Sequence, residues 1–223
     1  MTTVLRASGL NKRFGATIAL SGIDLQAAQG ECVGLVGPNG GGRSTLLKIL
    51  ATLLRPTAGS VEICGVDAVR APFDARRHLA YVGEEGVAGH GLSAHEYLAF
   101  VASARRVRSP RSAIDDALVR AGVHAAADVD TLSTGGRRRV SLAAVLLVKP
   151  QLLLLDDPFA GLDADARVAF SVWLSEIRDG GTTIVAALNE DRDVRAICHR
   201  VVRLEVKTSG AHRVPAVPVV ASV

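Results

Sequence analysis

Apolar and polar positions change period several times along the chain, and each change marks an element. Between residues 4 and 31 the apolar positions come in short groups, Val4-Leu5-Arg6, Ile18-Ala19-Leu20 and Ile23-Asp24-Leu25, punctuated by Gly15 and Gly30. Alternation broken by glycine predicts short strands joined by turns. The run Cys32-Val33-Gly34-Leu35-Val36 predicts a buried strand, and Leu46-Leu47-Lys48-Ile49-Leu50 a helix. That helix is expected to end near Arg55-Pro56-Thr57-Ala58-Gly59, because proline cannot continue it and glycine suits the turn. Residues 60–65 then return as a strand.

Further on, Leu79-Ala80-Tyr81-Val82 runs straight into Gly83-Glu84-Glu85, the pattern of a strand that presents a polar side chain at its end. Ser93-Ala94-His95-Glu96 has the S-x-x-E form of a capping box. Ala113, Ile114, Ala117, Leu118 and Ala121 recur at helical spacing, so 93–123 predicts a helical insertion. Leu132-Ser133-Thr134-Gly135-Gly136 opens another helix, followed by Arg137-Arg138-Arg139 and an apolar run from Val140 to Val148. Taken locally the basic triplet reads as solvated surface, yet it opposes the helix dipole, so something other than local stability selects it. The four leucines of Leu152-Leu153-Leu154-Leu155 predict a strand buried on both faces. Asp163 is the expected N-cap of a helix through Arg178, with Val168, Val172 and Trp173 near its packing face and Gly180-Gly181 closing it. Residues 182–188 predict a buried strand delivering Asn189 and Glu190, and 201–206 the last strand. From Lys207 onward no period remains, which predicts a flexible tail over 206–223.

Composition narrows the class. With 223 residues, 48% of them apolar, the chain can bury a substantial core. No stretch approaches the roughly 20 apolar residues of a membrane span. The start, Met1-Thr2-Thr3-Val4, lacks the basic-then-apolar form of a signal peptide, so a cytoplasmic protein is expected. Cys32, Cys64 and Cys198 stand apart among apolar neighbours, without the spacing of a disulfide framework or a zinc site. The net charge is +4, but the basic residues are dispersed and aromatic content is only 4%, so stacking platforms are scarce and no nucleic-acid partner is expected.

Two stretches carry the candidate chemistry. Gly37-Pro38-Asn39-Gly40-Gly41-Gly42-Arg43-Ser44-Thr45 lies between the strand at 32–36 and the helix at 46–50. Glycines there let several N–H groups and the positive helix end converge on one point, which makes a phosphate cradle. Gly37, Gly42 and Ser44 fit the G-x-x-x-x-G-K-[ST] template, with Arg43 in the lysine position. The second stretch, Asp156-Asp157-Pro158, sets two carboxylates at the carboxyl end of the leucine strand, in the crevice where α/β sheets bind ligands. Such a pair suits a magnesium-bound phosphate, Asp156 holding the ion and Asp157 orienting a water. An acidic turn ended by Pro158 is the alternative reading.

In this order the landmarks resemble the ATP-binding subunit of an ABC transporter over about residues 4–205: phosphate loop, Leu-Ser-x-Gly after a helical insertion, L-L-L-L-D, Gly-Leu-Asp, and a strand ending in a polar residue. The resemblance implies an α/β fold: a P-loop NTPase core with a mainly parallel sheet, an antiparallel β portion, and a helical subdomain about 85–145 within a domain spanning 1–205. It further implies ATP and Mg2+ sandwiched between two subunits, as a homodimer or heterodimer, at the inner face of a membrane beside a transmembrane permease subunit. Carried over by position, Phe14 would stack on the adenine. Gly37 through Thr45 would wrap the phosphates, with Ser44, Glu84 and Asp156 at the metal. Ser133, Gly135 and Asp163 would serve the site of the opposite subunit. Catalysis would fall to Asp157, Asn189, Glu84 and Arg43. Four of these depart from the family pattern: Arg43 stands for lysine, Asp157 for glutamate, Asn189 for histidine and Glu84 for glutamine. In the signature, ordinarily Leu-Ser-Gly-Gly-Gln, the third and fifth places are Thr134 and Gly136. Each catalytic change points toward slow chemistry.

Overall fold

Two twelve-residue strands, β1 (Thr3–Phe14) and β2 (Thr17–Ala28), pair antiparallel where short strands were expected. The computed structural model describes residues 2–108 and 111–205. The alternation looked broken because the ladder bulges between Ala7 and Leu10 and again around Lys12. Gly9 and Gly22 take φ of 56° and 63° there, and the amides freed from the ladder are caught by side chains. Asp24 Oδ1 accepts from Gly9 N at 2.7 Å, and Asn11 Oδ1 from Gly22 N at 3.1 Å. With β4 (Ala58–Ile63) and β5 (Val66–Asp67) these strands form an antiparallel sheet in the order β2-β1-β4-β5.

The second sheet is parallel. Its order is β6-β7-β8-β3-β9, built from β3 (Cys32–Val36), β6 (Leu79–Val82), β7 (Leu152–Asp156), β8 (Thr183–Ala187) and β9 (Arg200–Arg203). Every residue of β7 and β8 is buried, and successive side chains serve opposite cores. Leu152, Leu154, Val185 and Ala187 join the apolar cluster shared with the antiparallel sheet. Leu153, Leu155, Ile184 and Ala186 join a second cluster, shared with the helices. A strand with a core on each face carries apolar side chains in succession rather than in alternation, which is why the leucine run is unbroken.

Helix α1 (Arg43–Leu50) packs between the two sheets, with Leu46, Leu47, Ile49 and Leu50 at most 2% exposed. It ends a turn before the proline, contrary to expectation. Thr52 turns left-handed at φ 60°, and Leu53 N and Leu54 N both bond Lys48 O. After a short α2 (Pro72–Ala75), the predicted insertion forms α3 (Ala94–Ala104) and α4 (Arg111–Ala121), which pack on each other and on α5 (Thr134–Val148). The capping box of α3 is present in both directions: Ser93 Oγ accepts from Glu96 N, and Glu96 Oε2 from Ser93 N at 2.9 Å. α6 (Ala164–Asp179) is capped by Asp163, whose Oδ1 accepts from Ala166 N at 2.8 Å. Its packing face is Phe170, Trp173 and Leu174. Val168 and Val172, expected there, are exposed instead, because the buried stripe runs one residue out of phase with them. α7 (Asp191–Ile197) completes the helices. The last strand ends at Arg203, and the expected tail at 206–223 lies outside the described residues. No helix among them is long and apolar enough to cross a membrane.

Candidate functional site

All the polar ends of the parallel strands meet at one edge. β3 runs into the glycine loop, β6 into Glu84, β7 ends on Asp156, and β8 is followed by Asn189. The carboxyl edge of such a sheet is where α/β folds leave a crevice. A cavity of about 410 Å³ lies there, lined by residues 38–45 together with Glu84, Asp156, Asp157 and Asn189, and by Ala19 and Ala187.

The loop tolerates only glycine at two points. Gly37 has φ 152° and a Cβ on it would sit 2.2 Å from Leu204 O; Gly42 has φ 90° and its Cβ would meet Ala19 O at 2.6 Å. Strand β2 and the residues after β9 therefore press on the loop from either side, and the bare backbone is what lets α1 begin with its first amides uncapped by any side chain. Free N–H groups at a helix N-terminus select an anion.

Behind the loop, Ser44 Oγ donates to Asp156 Oδ1 at 2.9 Å, and Tyr81 Oη donates to Asp156 Oδ2 at 3.2 Å. Burial, then the Asp156 carboxylate, pushes the Tyr81 phenol far above its ordinary range, so it stays a donor. A hydroxyl and a carboxylate in contact are hard oxygen donors of the kind that suit a small divalent cation. Among the described residues no cluster of three or more acidic, histidine or cysteine side chains forms a cage. Magnesium is ordinarily held by one or two carboxylates with phosphate and water completing the shell, and Ser44 with Asp156 fits that need.

The departures at 43, 157 and 189 touch one another. The Arg43 guanidinium donates to Gly37 O and to Asn189 Oδ1, with Asn39 Oδ1 at 3.4 Å, and Asn189 Nδ2 donates to Asp157 Oδ2 at 2.6 Å. One hydrogen-bonded chain thus runs from the glycine loop to the second carboxylate. Asp157 sits at φ 47°, in the left-handed region that side chains disfavour. Burial raises its carboxyl above the usual range, Glu84 adds to this, and the Arg138 and Arg43 guanidinium groups and the Asn189 hydrogen bond oppose it. Asn189 is placed by α6: Arg167 bonds both Asp193 oxygens at 2.8 Å and Glu190 Oε1 at 3.0 Å, clamping the segment after β8.

Ser133, Gly135 and Asp163 are not at this cavity. They line a separate groove between α5 and α6, where Ser133 Oγ accepts from Gly136 N at 3.1 Å as the α5 cap. Phe14 is also outside the cavity lining; it is 49% exposed at the end of β1, with Lys12 Nζ 4.9 Å from its ring centroid. The basic triplet is a correction at one position: Arg138 is 4% exposed, and it and Arg137 bond main-chain carbonyls, whereas Arg139 is exposed as expected. Sequence reading missed Tyr81 and Arg138. The signal for Tyr81 was its place in a strand aimed at Glu84, and for Arg138 a charge set against a helix dipole.

A glycine loop between a parallel strand and a buried helix, backed by a serine and an aspartate, defines a P-loop phosphate-binding protein. Residues 20–160 match the family model described as ABC transporter. The daunorubicin resistance ATP-binding protein DrrA3 of Streptomyces coeruleorubidus is 36% identical over 192 residues, 82% of this chain and 59% of its own length. The cytochrome c biogenesis ATP-binding export protein CcmA of Cupriavidus pinatubonensis is 39% identical over 187 residues, 82% of each chain. A solved ATP-binding subunit of an ABC transporter superimposes with a TM-score of 0.83 at 26% identity, covering 93% of this chain and 89% of that one. The chain belongs to the ABC transporter family, as an ATP-binding member. It spans less than two thirds of the length of the drug-resistance relatives, 59% and 57% for two of them.

Proposed function

We propose that the chain binds MgATP at the cavity formed by residues 38–45, and that binding with slow hydrolysis drives a separate membrane permease of the exporter kind. The observation that carries this is the Ser44–Asp156 contact directly behind a glycine loop with open amides. The names of DrrA3 and CcmA, a drug-resistance protein and an export protein, support the direction of transport.

In this reading the loop amides and Arg43 would hold the β- and γ-phosphates, while Ser44, Asp156 and Glu84 would hold magnesium, which when bound would supply neutralising positive charge. Asp157 accepts a hydrogen bond from the water that attacks the γ-phosphate in line, and Asn189 keeps that carboxylate in place. Catalysis in such a reaction is mostly positioning and charge stabilisation, so each departure acts on rate. Aspartate is one methylene shorter than glutamate, and a displacement on the order of 1 Å can cost ~10²-fold. Ser133, Gly135 and Asp163, held away from this cavity, would complete the site of a second ATP-binding subunit, and Phe14 would meet the adenine.

A second reading, a nucleotide-responsive subunit without turnover, is favoured by one observation: the Arg43 fork is already engaged by Gly37 O and Asn189. Steady-state phosphate release from MgATP separates the two. Turnover on the order of 0.1 per second, still below typical enzymes, is the expected result. Turnover at background alongside an active Arg43→Lys/Asp157→Glu/Asn189→His variant would overturn hydrolysis and leave binding alone.

A further inference from the structure

Arg138 is a buried cation for which none of the roles above accounts. It lies on the first turns of α5, 4% exposed, and its hydrogen bonds go to main-chain carbonyls of two different loops. Nε donates to Glu84 O at 2.7 Å and Nη1 to Ala160 O at 2.5 Å. The first loop follows β6 and carries Glu84; the second follows β7 and carries Asp157. Burying a guanidinium is costly unless its donors are satisfied, so a position that retains one is under a geometric demand. The demand is visible in the loops themselves. Gly86 turns at φ 74° with its would-be Cβ 2.8 Å from the Arg137 carbonyl carbon and Arg138 N, so the Glu84 loop is laid directly on the start of α5. Only a planar fork has N–H vectors that diverge toward two fixed carbonyls; an ammonium is a point donor.

We propose that Arg138 is a positioning residue that sets the separation of Glu84 and Asp157 across the nucleotide cavity by tying together the loops that carry them. It also ties both loops to the Ser133 end of α5. A shift of that end, where the chain would meet a second subunit, is thereby transmitted to the side chains around the γ-phosphate, and the wire is a pair of hydrogen bonds on one guanidinium. This rests on the MgATP reading for its functional half, but the tie itself can be measured without nucleotide.

The test compares the unmodified chain with Arg138→Lys, which keeps the charge and loses the fork, and with Arg138→Met. Two amides report on the loops: Gly86 N, bonded to Gly83 O at 3.1 Å, and Ala160 N, bonded to Asp157 O at 3.3 Å. In Arg138→Lys both are expected to exchange about tenfold faster relative to the β7 and β8 amides. Affinity for MgATP is expected to fall about fivefold and that for MgADP to stay within about twofold, because the loops face the γ-phosphate and the glycine loop holds the rest. Exchange unchanged in either loop would overturn the tie. Faster exchange everywhere, or faster loop exchange with unchanged MgATP affinity, would make Arg138 structural only and overturn its positioning role. If the unmodified chain binds no MgATP, the function reading fails, and the exchange data still decide whether the tie exists.

Discussion

At the scale of single residues, the site is governed by contacts among the departures rather than by each one separately. Arg43, Asn189 and Asp157 share one hydrogen-bonded chain, and groups acting as a unit give strongly non-additive effects. Arg43→Lys, Asp157→Glu and Asn189→His are therefore expected to raise phosphate release by about tenfold or more together, and by an amount that is not the product of their single effects. A double-mutant cycle over Arg43 and Asn189 checks this, and additive effects would show that the chain does not couple. Gly42→Ala tests the loop itself. A Cβ at φ 90° and 2.6 Å from Ala19 O is expected to cost about 2 kcal/mol or more. It should also abolish MgATP binding, read by denaturant unfolding and by calorimetry. The places of Gly37, Gly42, Ser44 and Asp156 were legible in the sequence because a glycine loop between strand and helix, and a leucine strand ending in an acid, are local patterns. Arg138 was not, because whether a basic triplet is solvated depends on loops that fold over it from 52 and 22 positions away, the separations of Glu85 from Arg137 and Ala160 from Arg138.

At the scale of elements, the two-sided burial of β7 sets its sensitivity. Leu154 is fully buried in the apolar cluster that β7 shares with α1 and the antiparallel sheet, and Leu154→Ala is expected to cost about 2–5 kcal/mol. Ser93→Ala, removing the α3 cap, is expected to cost about 1 kcal/mol and to leave MgATP affinity unchanged, because α3 lies away from the cavity lining. Chemical denaturation paired with calorimetry checks both. The parallel strands, the capping box and the Asp163 cap were readable because burial on two faces and capping are local signals. The long strands β1 and β2 were not, since bulges shift the phase of the alternation midway. α1 ended early for a similar reason: a left-handed Thr52 leaves no mark in the apolar pattern.

At the scale of the molecule, the phosphate cavity and the groove holding Ser133 and Asp163 share no lining residue, and the reading proposed above brings them to one nucleotide from two chains. MgATP is expected to shift the Asp157→Asn variant from monomer to dimer in light scattering, and Ser133→Arg to prevent the shift; dimerisation indifferent to Ser133 would sink that arrangement. The sheet order has a further consequence, for synthesis. β3, which launches the phosphate loop, is flanked by β8 and β9, and Gly37 rests against the carbonyl of Leu204. Both neighbours are made roughly 150 residues after it, and domains are translated from the amino end at about 5–20 residues per second. The loop that comes out early therefore waits about 8–30 s for its floor. A chain ended at residue 198, lacking β9, is expected to bind no MgATP by calorimetry, and retained binding would show that the floor is dispensable. In the cell, nucleotide would reach only molecules whose translation has passed β9, which makes binding a mark of a finished parallel sheet.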